Sequence, residues 1–184
     1  CAAIFAGMGT SLPNTIVKNN VVQNCVETGI EGPYELVYHN TVKNTGENSV
    51  ARYTGSTEAI YIKPTTEFEQ KYIGNTIETR GLRCFSSYSN RDDEYKGIYI
   101  LNNSMNLKNT DASIACNYTR SDIEINCKKI KKIVIENNTG MMKDKKSVNI
   151  YTDKGYVMDY FSIHNPCMIG SVPEKARYCF NINN

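Results

Sequence analysis

The chain has 184 residues, 40% hydrophobic and 22% charged, with 21 basic and 19 acidic side chains for a formal net charge of +2. That length suits one domain with its own core. No apolar run approaches the ~18 residues that span a bilayer as a helix, and the near-balance of charge leaves no single-signed field to gather nucleic acid. With 22 asparagines, 13 tyrosines and no tryptophan, the composition is polar and turn-rich, and it favours a β fold with many short connections.

The first residue is Cys1, and an apolar run follows as far as Met8. Cys1-Ala2-Ala3 resembles the mature amino terminus of bacterial lipoproteins; the resemblance covers this terminus only and names a class. It implies lipidation of Cys1, with two or three acyl chains giving persistent attachment at about 0.8 kcal/mol per buried methylene. It also implies an exported protein held at the outer membrane, the periplasmic face or the cell surface. Lipoprotein tethers are commonly polar, whereas Ala2, Ala3, Ile4, Phe5 and Met8 are small or apolar. These residues are therefore expected to dock onto a partner, for instance by adding a strand to the open sheet edge of a neighbouring subunit. Residues 1–12 are read as this leader and residues 13–184 as a single β-rich domain. A terminal cysteine could instead serve as the nucleophile of a small thiol hydrolase, with its own amine as base. No motif supplies an oxyanion hole, and no catalytic residue is assigned. Gly7 and Gly9 lack the remaining pattern of a phosphate loop.

From Thr15 to Thr28 two readings compete. Val17, Val21 and Cys25 share a helical face with Gly29 as a stop, which gives one short helix near residues 15–28; the Val, Asn and Thr content equally suits two strands turning at Asn19-Asn20. Glu35 to Lys43 and Ser49 to Thr54 read as a hairpin around residues 44–48. Glu58 to Lys63 is a further strand, and Thr66 to Ile73 a helical turn through Phe68 and Tyr72. Ile77 to Ser87 and Tyr95 to Leu101 are strand-like, with Asp92-Asp93-Glu94 as a charged turn between them. Ile114, Cys116 and Tyr118 alternate, as do Ile123, Ile125 and Cys127; the phase slips after Cys127, which suggests a bulge. Ser147 to Ile163 reads as a hairpin turning at Asp153-Lys154-Gly155, and Arg177 to Asn184 as a last strand. No internal repeat is evident. The fold expected is mostly β, a disulfide-stapled β-sandwich or related two-layer β fold.

Beyond Cys1 there are six cysteines and no C-x-x-C, so three disulfides are expected rather than zinc. Local spacing favours Cys116 with Cys127 and Cys167 with Cys179, leaving Cys25 with Cys84. Lys128, Lys129, Lys131 and Lys132 form a basic patch, continued by Lys143, Lys145 and Lys146. It could face anionic material, although a solvated sheet edge is the simpler reading. His39 and His164 are the only imidazoles, and nothing in the sequence brings them to a nucleophile. No metal site and no cofactor are expected. Asn102, Asn117 and Asn137 head N-glycosylation patterns, which matter if the chain is a secreted viral or eukaryotic β-sandwich that binds a host protein. The favoured reading is an exported, lipoprotein-like binding or structural component. Its partners would be proteins, either copies of itself or other subunits of an envelope or filament assembly. It would meet the membrane through the lipid anchor and bind no nucleic acid.

Overall fold

The computed structural model describes residues 2–6, 12–45, 58–108, 121–141, 147–165 and 180–183. The chain winds through successive coils. The first holds β1 (Ile4–Phe5), β2 (Leu12–Lys18) and β3 (Val21–Gln23), and the second β4 (Ile30–Gly32), β5 (Tyr34–Tyr38) and β6 (Thr41–Thr45). The third holds β7 (Glu58–Ile62), β8 (Glu69–Ile73) and β9 (Thr76–Thr79), and the fourth β10 (Arg83–Tyr95), β11 (Gly97–Leu101) and β12 (Ser104–Leu107). Then come β13 (Ser121–Ile130) with β14 (Lys132–Glu136), β15 (Val148–Tyr151) with β16 (Tyr160–His164), and β17 (Phe180–Asn183). Strands stack on their counterparts in the next coil, giving sheet A (β1-β4-β7-β10-β13-β15-β17), sheet B (β2-β5-β8-β11-β14-β16) and sheet C (β3-β6-β9-β12). Every pairing between these strands is parallel. The architecture is a parallel β-solenoid.

The mostly β expectation holds, while the arrangement differs from the two-layer sandwich. The segments expected to form hairpins do not pair with themselves. Tyr34–Tyr38 belongs to sheet B and Thr41–Thr45 to sheet C, with the corner at His39-Asn40; Ser49 to Thr54 lies outside the described residues. Val148–Tyr151 and Tyr160–His164 likewise fall in sheets A and B. The helix considered near residues 15–28 is replaced by β2 and β3, because the chain turns at Asn19-Asn20 and sends Val17 and Val22 inward from different sheets. Glu69–Ile73 is a strand rather than a helical turn, and Asp92-Asp93-Glu94 lies within β10. The phase slip near Cys127 is present: from Ser89 to Glu94 β10 takes five steps while β13 takes two, from Cys127 to Lys129. The extra residues are on β10, the partner of the strand where the slip is legible.

Period-two alternation builds the core. In sheet A, Ile30, Ile60, Phe85, Ile123 and Val148 lie in register and are buried; in sheet B, Val17, Val37, Tyr72, Ile100 and Ile135 do the same; in sheet C, Val22, Val42, Ile77 and Met105. Each strand buries a row only because the coil above and the coil below continue it, so stability is shared between neighbours as in other repeat architectures.

Coil register is fixed at the corner between sheets B and C. Asn20, Asn40, Asn75, Asn103, Asn138 and Asn165 form a ladder: each of the first five donates its backbone N–H to the side-chain Oδ1 of the next, over 2.8 to 3.0 Å. The side-chain amides of Asn40, Asn75, Asn103, Asn138 and Asn165 donate backwards to the carbonyls of Val17, Val37, Tyr72, Ile100 and Ile135. The residue just before a ladder asparagine is left-handed at Asn19, His39, Gly74, Asn102 and Asn137, with φ between 49 and 62° across these and Asn44. Asparagine and glycine tolerate that conformation best. Ladder and left-handed positions, with Asn14, Asn24 and Asn44, account for twelve of the 22 asparagines, so the composition has a conformational cause.

Candidate functional site

Of the proposed docking segment, Ala2, Ala3, Ile4 and Phe5 are described, while Cys1 and Met8 lie outside the described residues. Ile4–Phe5 pairs in parallel with Ile30 and Glu31 as the first strand of sheet A. The leader therefore adds a strand to its own chain. Phe5 nonetheless stays 56% exposed, beneath the ammonium of Lys63 at 4.6 Å from the ring centroid.

Cys25, Cys84 and Cys127 are free thiols. The pairings Cys25 with Cys84 and Cys116 with Cys127 are thus not formed; Cys116 and the pair Cys167 with Cys179 lie outside the described residues. Coil stacking explains why local spacing misleads here. Cys127 is not turned back on a hairpin partner but stacks beside Ser89 of the previous coil, with its Sγ 3.5 Å from the Ser87 hydroxyl. Burial pushes its thiol up to about 11 and raises that of Cys84 as well, so both remain protonated and unreactive at neutral pH.

Three of the four lysines of the basic patch, Lys128, Lys131 and Lys132, pair with carboxylates of earlier coils. Lys128 pairs with Asp92 at 2.8 Å, Lys131 with Glu94 at 3.0 Å and Lys132 with Glu69 at 2.8 Å. Its strands β13 and β14 lie inside sheets A and B rather than at an edge. Solvent screens such exposed pairs, so they add little to stability. His39 and His164 both precede ladder asparagines, in the second and sixth coils; four coil spacings of about 4.8 Å hold them ~19 Å apart along the axis, so they share no site. Asn102 and Asn137 are exposed at the same corner in adjacent coils, and the Asn that follows each is a ladder rung. Asn117 lies outside the described residues.

A buried ion-pair cluster joins residues that no sequence spacing connects. Arg83, on β10, places Nη1 3.3 Å from Glu58 of the coil before and Nη2 3.0 Å from Glu124 of the coil after. Glu58 and Arg83 are buried, and Ser86 also donates to the Glu58 carboxylate. Nearby, the Ser147 hydroxyl donates to Asp122 Oδ2 over 2.6 Å, with both residues fully buried. Burial outweighs the Arg83 guanidinium and pushes Glu58 up to about 7 from an ordinary 4.5. Chemically the group can take up or release a proton near neutrality, while Arg83 ties three coils together. Among the described residues, no three His, Cys, Asp or Glu side chains are placed to hold a metal ion.

The raised group makes stability pH-dependent. Because the folded state holds its proton more tightly than the unfolded chain, Glu58 stabilises the fold fully below about pH 4.5, and that contribution is lost as the pH rises through about 7. Denaturant unfolding from pH 4 to 8 should show this decline in the wild type, on the order of 3 kcal/mol from this group. Glu58→Gln should flatten that part of the profile; an unchanged slope in the variant would place the titration elsewhere.

Comparison with protein-family models, curated proteins and solved structures finds no match to this chain. The Asn ladder and the Glu58–Arg83–Glu124 cluster therefore rest on the chain's own geometry. Sequence reading missed both, although the ladder leaves a trace: His39-Asn40-Thr41, Gly74-Asn75-Thr76, Asn102-Asn103-Ser104 and Asn137-Asn138-Thr139 repeat one corner motif at unequal intervals.

Proposed function

We propose that this chain is an exported binding and structural component, anchored through a lipid on Cys1 and docked onto protein partners of an assembly through its first coil. The observation that supports docking is the distribution of apolar surface. Of the seven large hydrophobic residues exposed among the described residues, Phe5, Ile16, Val21 and Val26 all belong to that coil, at 53 to 70% exposure. Among the described residues, β1, β2 and β3 beside them each end their sheets, leaving three strand edges to which a partner can add strands. Asn20, the first rung of the ladder, adds a side-chain acceptor in line with those edges.

The test uses protein extracted from its native membrane. Ile16→Lys with Val21→Lys changes two exposed side chains and should leave the melting temperature within a few degrees while shifting sedimentation from a complex to the single chain. An unaltered complex would sink the docking reading. Intact mass checks the anchor: an excess of several hundred daltons on the Cys1 peptide supports acylation, and an unmodified Cys1 removes it.

A further inference from the structure

On the outer side of sheet A, register places Tyr88, Asn126 and Tyr151 in one row, in the fourth, fifth and sixth coils. Coils are about 4.8 Å apart, so the two tyrosines stand ~10 Å apart along the axis with an amide between them. Tyr88 is 55% exposed, and Asn126 and Tyr151 are half-buried. Several charged neighbours pair with one another: Lys63 with Glu31 at 2.9 Å, Arg83 with Glu124 at 3.0 Å and Lys128 with Asp92 at 2.8 Å. The surface thus offers two rings and an amide beside paired charges.

We propose that this row binds a neutral carbohydrate chain lying along the solenoid axis. A sugar ring has an apolar C–H face bounded by hydroxyls, and a tyrosine ring can cover such a face while its own hydroxyl stays hydrated. Two rings ~10 Å apart suit two sugar residues of an extended chain. The Asn126 amide, as donor and acceptor together, matches hydroxyls, which are also both. An anionic polymer would gain little from Lys63, Arg83 and Lys128, which are already paired with carboxylates. The surface is separate from the first coil, so the proposal stands independently of the docking reading.

Affinity electrophoresis of the whole protein through gels containing galactomannan or hydroxyethylcellulose tests it, with polygalacturonate as the anionic comparison. Retardation by a neutral polymer that persists at about 0.5 M salt is expected. Tyr88→Ala with Tyr151→Ala should weaken it about tenfold, while Tyr88→Phe, which keeps the ring, should retain it. The Ile16→Lys, Val21→Lys protein should bind like the wild type. No retardation by either neutral polymer, retardation by polygalacturonate alone, or full binding by the double alanine variant would each overturn the proposal.

Discussion

Asn103→Ala should destabilise the solenoid by about 4 kcal/mol, far more than an average polar substitution. Asn103 sits mid-ladder and is 1% exposed. Its Oδ1 accepts from both the backbone N–H and the side-chain amide of Asn75, and its own amide donates to the Tyr72 carbonyl and to Asn138 Oδ1. Alanine orphans the Asn75 N–H and the Tyr72 carbonyl in the interior, at ~1–3 kcal/mol each, and leaves a small void. Asn103→Asp separates these effects. It keeps size and acceptor but turns an oxygen toward the Tyr72 carbonyl, so it should cost at least as much as alanine at neutral pH. Asn20→Ala, at the half-exposed first rung, should cost under about 1 kcal/mol, since water can replace what is lost. Chemical denaturation of the three variants measures the gradient along the ladder; equal, small losses would mean that the apolar rows alone hold the coils in register.

The strands were legible because alternation is local. Val148 and Ile150, or Ile123 and Ile125, advertise one buried face whatever strand lies beside them. Partners were not legible, because an alternating strand looks the same in a hairpin and in a solenoid coil. The deciding information sits at the corners, where a left-handed residue, an asparagine and usually a threonine or serine recur. Spacings between ladder asparagines vary between 20 and 35 residues, because the stretch of chain from one rung to the next differs in length from coil to coil. A search for a fixed period passes over such a repeat. The same asparagines read as glycosylation patterns at Asn102 and Asn137, and the same left-handed position is filled by His39. The Glu58–Arg83–Glu124 cluster was illegible for a different reason: its members are 25 and 41 positions apart, and only coil stacking makes them neighbours.

Gly140→Ala should be as damaging as the mid-ladder variant, by about 3–4 kcal/mol, through backbone rather than hydrogen bonding. Gly140 follows the Asn137-Asn138-Thr139 corner at φ +73°, and a Cβ built there would lie 2.0 Å from the Met105 carbonyl oxygen of the coil before. Two costs combine. A left-handed alanine is strained by ~1–2 kcal/mol, and the clash is with backbone, which cannot rotate away as a side chain can. Relief requires moving Met105 or Gly140, yet Met105 N–H donates to the Thr139 carbonyl over 2.8 Å and its side chain is buried in the core. The close approach that excludes a Cβ is therefore the same contact that closes the fifth coil onto the fourth. Gly155 supplies the control. Its φ is +81° but a Cβ there would meet nothing within 4 Å, so Gly155→Ala should carry only the conformational strain of about 1 kcal/mol. The difference between the two variants in unfolding free energy measures the coil-to-coil contact itself. Comparable small losses at both positions would show that the fifth coil can shift away from the fourth at little cost.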